Sequence, residues 1–459
     1  MKANRMIRTF PATVVAALAL IPATGMGQSS DGDSAIGLFD AYQQALADAP
    51  GVAERQALTE AAEEVVNQAK ARRWPTLSAN ARYTESEYEV QEGLATREED
   101  SYNYGLDLAQ PIYDRGVSTR LSEARSKRSV AGAELAATRQ ELASQVAQAY
   151  LRVLRARATR DLAQAEAEAY RTRWNQMQRQ LESDLASRVD VLDARVRYET
   201  ALSDIAKADN ELDAARLGLQ RLTGTYPQAL RSADPRAMRL QSPPQNDRIA
   251  ELMEQAGEAS PQVDVQRERL GQARDTVAVR QSERFPSLSL EARYSDTNAT
   301  DRLIQGEDAR VQVLLQVPLF SGGGVTAGID EARARARAQR WALDNARREA
   351  MIETRQAINE LRSAHRQVRV SRQALETAET QVQAAEQGLT VGLRDLVELL
   401  DARAQLFSIR RDLAEAAYDY LIAQVKLQTT TGAFEPSRLR ELDQAYLHEV
   451  ADLSGVDGQ

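Results

Sequence analysis

The sequence predicts an α+β protein, predominantly α, in which long antiparallel coiled-coil helices carry four β-strands per chain. Alanine, glutamate, arginine and leucine dominate while aromatics make up only 5%, the composition of long helices. Two stretches of helical spacing run for about sixty and about seventy residues without a strong breaker. Four segments of two-residue alternation occur as two pairs, at matching places in the two halves of the chain.

The clearest junction runs from Asp308 to Arg333. Val311, Val313, Leu315, Val317 and Leu319 alternate with Gln312, Leu314 and Gln316, which gives a strand one apolar face and one mostly polar face. Pro318 suits a strand end. Past Gly324 the spacing turns helical, so a strand is expected to feed straight into a long helix. YGLDLAQPIYDRGVSTRLSEAR repeats the junction earlier in the chain.

Taken in order, residues 1–27 read as a secretory signal peptide: Lys2, Arg5 and Arg8 precede an apolar run from about Ala12 to Ile21 and then small residues. The run is too short to span a bilayer. Its removal takes the formal charge from -9 to -12, by loss of three basic residues, which disfavours nucleic acid as a partner. With no cysteine, neither disulfides nor a lipid-modified N-terminal cysteine is expected. A first structural repeat is expected over 28–224. It opens with a helix over 35–73 interrupted at Pro50, continues with a β-hairpin over 74–113, and ends in long helices from about Val117 to Leu181 and Asp190 to Leu222. Leu142, Val146, Ala149 and Val153 step as a coiled-coil seam.

Residues 225–247, with four prolines and no periodicity, read as a linker. A second repeat follows over 248–433, with its hairpin over 284–320, and then a tail over 434–459. Pro50 matches Pro261 and ARRWPTLSANARY matches SERFPSLSLEARY at a spacing of 211, while Asp193-Ala194-Arg195 matches Asp401-Ala402-Arg403 at 208. Insertions confined to loops are what duplication of one unit predicts.

The strands point to a membrane. Aromatics mark both ends of their apolar faces: Trp74, Tyr113, Phe285 and Phe320 at one end, Tyr83, Tyr102 and Tyr294 at the other. From Trp74 to Tyr83 is about 30 Å of strand, or roughly 21–25 Å of membrane normal once tilted, close to the apolar band of outer-membrane barrels. The plainer alternative is a soluble pair of hairpins packed on the helices. Four strands cannot close a barrel, and open edges are not tolerated in lipid, so several chains must share one barrel. The alternate face, with Ser78, Asn80, Arg82, Ser289, Glu291 and Arg293, would then line water.

The duplicated plan, the paired QPIYDRG and VPLFSGGG junctions, and VGLRDLVELLDARAQLF at 391–407 together resemble the TolC family of outer-membrane efflux proteins, over about residues 36–433. The resemblance implies a homotrimer with a shared twelve-stranded β-barrel in the outer membrane and a helical tunnel through the periplasm. It also implies two partners, a periplasmic adaptor (membrane fusion) protein and an inner-membrane efflux or ABC transporter. The chain would be the passive exit duct of a tripartite efflux pump or a type I secretion system.

Glu398 and Asp401 lie three apart and share a helix face; at a spacing of 208 their mates are Asp190 and Asp193. Solvated helix carboxylates are the plain reading. The resemblance instead places them at the periplasmic tip, as an acidic ring at the closed entrance. It likewise implies adaptor docking for Val391, Gly392 and Leu393, and a gate latch for Arg394. Two departures stand out: Ser183-Asp184-Leu185 replaces the motif in the first repeat, and Leu389 stands where the family has a latching tyrosine. Gly322, Gly324 and Ala327 imitate a dinucleotide fingerprint, but a helix of about seventy residues is no Rossmann crossover. His365 and His448 are the only histidines, so no metal site, cofactor or catalytic constellation is expected. The competing reading is a soluble periplasmic coiled-coil structural or adaptor protein.

Overall fold

The computed structural model of the protein describes residues 35–89, 96–299, 305–432, 434, 437–447 and 449–452. The expected signal segment and His448 lie outside the described residues. The first half contains α1 (Leu38–Asp48), α2 (Pro50–Ala71), β1 (Thr76–Glu89), β2 (Thr96–Asp114), α3 (Arg115–Glu182) and α4 (Arg188–Thr223). After β3 (Ala229–Ser232) the same order recurs as α5 (Asn246–Ala259), α6 (Pro261–Ser282), β4 (Ser287–Ala299), β5 (Gly306–Gln316), α7 (Gly324–Thr390) and α8 (Leu396–Thr430), followed by α9 (Ser437–Tyr446) and β6 (Glu449–Asp452).

Local chemistry sets these boundaries. Pro50 and Pro261 open α2 and α6, where a missing N–H costs nothing. Asp114 caps α3 by accepting from the Gly116 amide at 2.7 Å. Gly432, mate of Gly224, ends the last long helix at φ 71°, and a Cβ there would meet the Ala259 carbonyl oxygen at 2.1 Å; only glycine fits. At 68 residues, α3 is about 100 Å long.

The long helices form two hairpins, α3 with α4 and α7 with α8, and α3 also packs against α2, α6 and α8. The seam residues Leu142, Val146, Ala149 and Val153 are all buried, as their heptad spacing requires. The core is thickest midway along the bundle, around Tyr150, Tyr418 and Tyr420. Their hydroxyls hold the chain that crosses between repeats: Tyr150 Oη lies 2.8 Å from the carbonyls of Ile36 and Arg231, Tyr418 donates to Ala233, and Tyr420 to Gln241.

Three expectations are corrected here. The linker is not wholly irregular, because β3 pairs antiparallel with β6 and bridges Ile36 in parallel. The tail contains α9 and β6, and Asp443 of α9 caps α1 by accepting from the Leu38 and Phe39 amides at 2.8 and 3.0 Å. A four-residue strand has too little alternation to register, and its partner lies at the far end of the chain. Finally, β5 does not feed straight into α7; it stops at Gln316, and irregular chain leads to Gly323, which precedes the helix in a left-handed conformation. Pro318 has no N–H for the ladder, whereas in the first repeat a β-bulge at Pro111 lets β2 run on to Asp114.

The four strands make one antiparallel sheet in the order β1-β2-β4-β5. Register puts Leu77, Leu108, Ala292 and Val311 in one row, and Ser78, Asp107, Arg293 and Arg310 in the next residue's row on the other face. On that polar face Asn80 donates to Asp107 at 2.6 Å, and Arg293 pairs with the same carboxylate. The apolar face is bare: Leu77 is 70% exposed, Val311 74% and Leu315 62%. A hairpin pair packed on the helices would bury these side chains, so that alternative fails. Among the described residues, β1 and β5 each leave one edge without a partner.

Candidate functional site at the helical tip

Both helical hairpins end in the same turn. The Leu185 amide donates to the Gln180 carbonyl at 2.7 Å and the Leu393 amide to the Gly388 carbonyl at 2.8 Å, the long closing bond of a Schellman turn. Such a turn needs one left-handed residue. Gly392 supplies it at φ 74° and Asp184 at φ 56°, aspartate being among the side chains that tolerate this region. The sequence departure in the first repeat therefore leaves the backbone turn intact. Leu185 and Leu393 are 78% and 83% exposed, and Val391 stands exposed beside them.

The next turn of each second helix carries an acid at its third position. Asp190 accepts from the Ser187 amide at 2.8 Å and its hydroxyl at 2.7 Å, while the Asp190 amide donates back to Ser187 Oγ; this is a capping box. Asp395 caps α8 by accepting from the Glu398 amide at 2.8 Å. Asp190 and Glu398 thus sit where the helix dipole favours negative charge. Arg394 lays its stem over Gly388, where a Cβ would meet Arg394 Cγ at 2.9 Å, and its guanidinium pairs with Glu398 at 3.2 Å. The partner of Arg394 within the chain is local, in the first turn of α8, the helix that follows it.

One turn further in, Asp193 and Asp401 diverge. Asp401 pairs with Arg197 of α4, which ties the second repeat to the first. Asp193 has no ion-pair or hydrogen-bond partner among the described residues and lines a cavity of about 470 Å³ with Glu166, Tyr170, Arg197, Asp204 and Leu400. Burial pushes the Glu166 carboxyl up, offset in part by Arg411 at 3.1 Å. Burial also pushes the Tyr170 hydroxyl up to about 12, and Glu166 adds to the effect. Nearby, burial and Arg403 lower Arg173, opposed by Asp190 and Glu386.

The structure therefore joins Arg394 to Glu398 directly, and leaves Val391, Gly392 and Leu393 together on the exposed turn. It keeps Asp193 and Asp401 on different helices, and of the two only Asp401 has a partner among the described residues. Sequence reasoning missed Arg197, whose partner is 204 positions away, and Glu166, one acid among many. Ser187 was findable, since Ser-x-x-Asp is a capping signature. No group of three or more metal-ligating side chains occurs among the described residues. Gly324 opens a 67-residue helix, and among the described residues no parallel strand returns after it, which removes the dinucleotide motif.

A four-stranded sheet with an exposed apolar face, joined to helices about 100 Å long, is the architecture of an outer-membrane channel protein. The outer membrane efflux protein family matches residues 41–225 and 252–433, and the chain belongs to that family. It is 27% identical over 432 residues to the outer membrane protein TolC of Vibrio cholerae, covering 93% of this chain and 97% of that one. It is also 27% identical over 349 residues to the alkaline protease secretion protein AprF of Pseudomonas aeruginosa, covering 75% and 72%. Among solved structures, the CmeC outer membrane channel of Campylobacter jejuni superposes with a TM-score of 0.74 at 14% identity, covering 95% of this chain and 98% of that one. The chain is an outer-membrane exit duct for efflux or type I secretion, and the soluble coiled-coil alternative is not favoured.

Proposed function

We propose that three copies of the chain close one twelve-stranded barrel, with β5 of each copy paired to β1 of the next, over a tunnel built from the six long hairpins. The observation that carries this reading is the four-stranded sheet, bare on its apolar face and open at both edges. An open edge in lipid is prohibitively costly, and repetition around a threefold axis satisfies every edge.

In this reading the tips are the periplasmic entrance. Glu398 and Asp401, with Asp190 and Asp193, ring the mouth; Arg394 is the gate latch, exchanging its local partner Glu398 for a neighbouring helix in the closed state; and Val391, Gly392 and Leu393 present an apolar turn to a periplasmic adaptor. In this reading energy comes from an inner-membrane transporter. The secretion role named for the Pseudomonas relative and the channel named for the Campylobacter neighbour support such an assembly.

Charge at the mouth is the test. Confined carboxylates attract cations and repel anions. In planar bilayers, Glu398→Gln with Asp401→Asn should lower cation preference and weaken block by trivalent cations. If both properties survive the double neutralisation, these acids are a solvated helix face and the entrance reading fails.

A further inference from the structure

We propose that the cavity between α3, α4 and α8 is a binding site for a small amphipathic organic monocation, an arylalkyl ammonium, in addition to the duct function of the chain. Its volume of about 470 Å³ lies within the range of ordinary small-molecule pockets. Val196, Val397 and Leu400 make one wall apolar, suited to an aromatic ring.

The polar wall selects the charge. Glu166 is compensated by Arg411 at 3.1 Å, Asp204 by Lys207 at 2.9 Å, and Arg197 by Asp401. Asp193 alone keeps an unanswered negative charge, so the cavity matches one positive charge and rejects anions. A second observation points the same way. Tyr170 lines the cavity at 3% exposure, and its hydroxyl, although it faces Glu166 and Arg197, makes no well-formed hydrogen bond to either. A buried hydroxyl without a partner is costly, and an ammonium N–H would supply one. That favours a primary ammonium over a quaternary one, which has no N–H to give. A bare metal ion is disfavoured because the carboxylates do not cluster.

The experiment uses the full-length mature protein in detergent at neutral pH, titrated with 1-naphthylmethylammonium and followed by naphthyl fluorescence. The uncharged analogue 1-naphthalenemethanol is the control for simple partitioning. Saturable binding at one site per chain is expected, weakened about ten-fold or more by Asp193→Asn, which is the loss of a charge-assisted hydrogen bond. Asp193→Glu, which keeps the charge, should restore most of the affinity, so misfolding and loss of charge are separated. Tyr170→Phe should weaken binding about three-fold or more. Glu254→Gln, at an exposed acid on α5, should leave it unchanged. Absence of saturation, equal affinity for the alcohol, or equal affinity in Asp193→Asn would each overturn the assignment. None of these outcomes bears on whether the chain forms a duct.

Discussion

Arg197 on α4 and Asp401 on α8 form an ion pair that joins the two helical hairpins of one chain near the tip, and breaking it should open the entrance. Their side chains are 33% and 61% exposed, so the pair belongs to the partly solvated class worth roughly 0.2–1 kcal/mol; about 0.5 is a fair working value. In a threefold assembly whose hairpins swing together, three such pairs contribute about 1.5 kcal/mol to the closed state, or about ten-fold in the open fraction. Arg197→Met keeps the aliphatic stem and removes the charge. Open probability in planar bilayers is the readout, since conductance itself changes with the charge of Asp401. Arg197→Met and Asp401→Asn should each raise open probability about ten-fold, and the double variant no further than either single one. High salt should raise the wild type toward the variants. If the singles do nothing, or if the double variant shows the product of the two effects, the pair does not hold the tip closed.

Tyr150→Phe removes a buried donor shared by the Ile36 and Arg231 carbonyls, and should cost about 1–2 kcal/mol in chemical denaturation. Asp443→Ala leaves the Leu38 and Phe39 amides uncapped; hydrogen exchange at those two amides should accelerate while the α3 core stays protected. Burial raises the Asp443 carboxyl above its ordinary 3.8, though both amide bonds oppose the shift. A carboxyl raised by folding stabilises most below its unfolded value. The stability difference between wild type and Asp443→Asn should therefore fall as pH rises from about 3.8 through the raised value, then level off. A difference that grows with pH would mean the amide bonds outweigh burial.

Much of the architecture was legible because it is periodic and occurs twice. The Leu142–Val153 seam, the alternation around Leu77 and Val311, and the repeat spacing of 208 to 211 each encode structure locally or by self-comparison. What was missed is non-local or short. β3 needs β6 from the other end of the chain, and the hydroxyls of Tyr150, Tyr418 and Tyr420 find backbone carbonyls that no pattern announces. At the site, the tip turn was readable in Val391-Gly392-Leu393 but looked broken in Ser183-Asp184-Leu185, because a left-handed aspartate satisfies the same backbone need as glycine. The acids were found by their spacing. Their partners were not, since Arg197 is one arginine among many until the fold brings it to Asp401.

In the proposed assembly one chain is only a third of a membrane channel and becomes one by sharing its sheet. Native mass spectrometry of the mature protein, extracted from membranes in detergent, addresses this directly. A species of three chains is expected, released only by detergent, that keeps its β-structure until the three separate. A stable single chain with its strands intact, or a protein recovered in aqueous buffer without detergent, would contradict it.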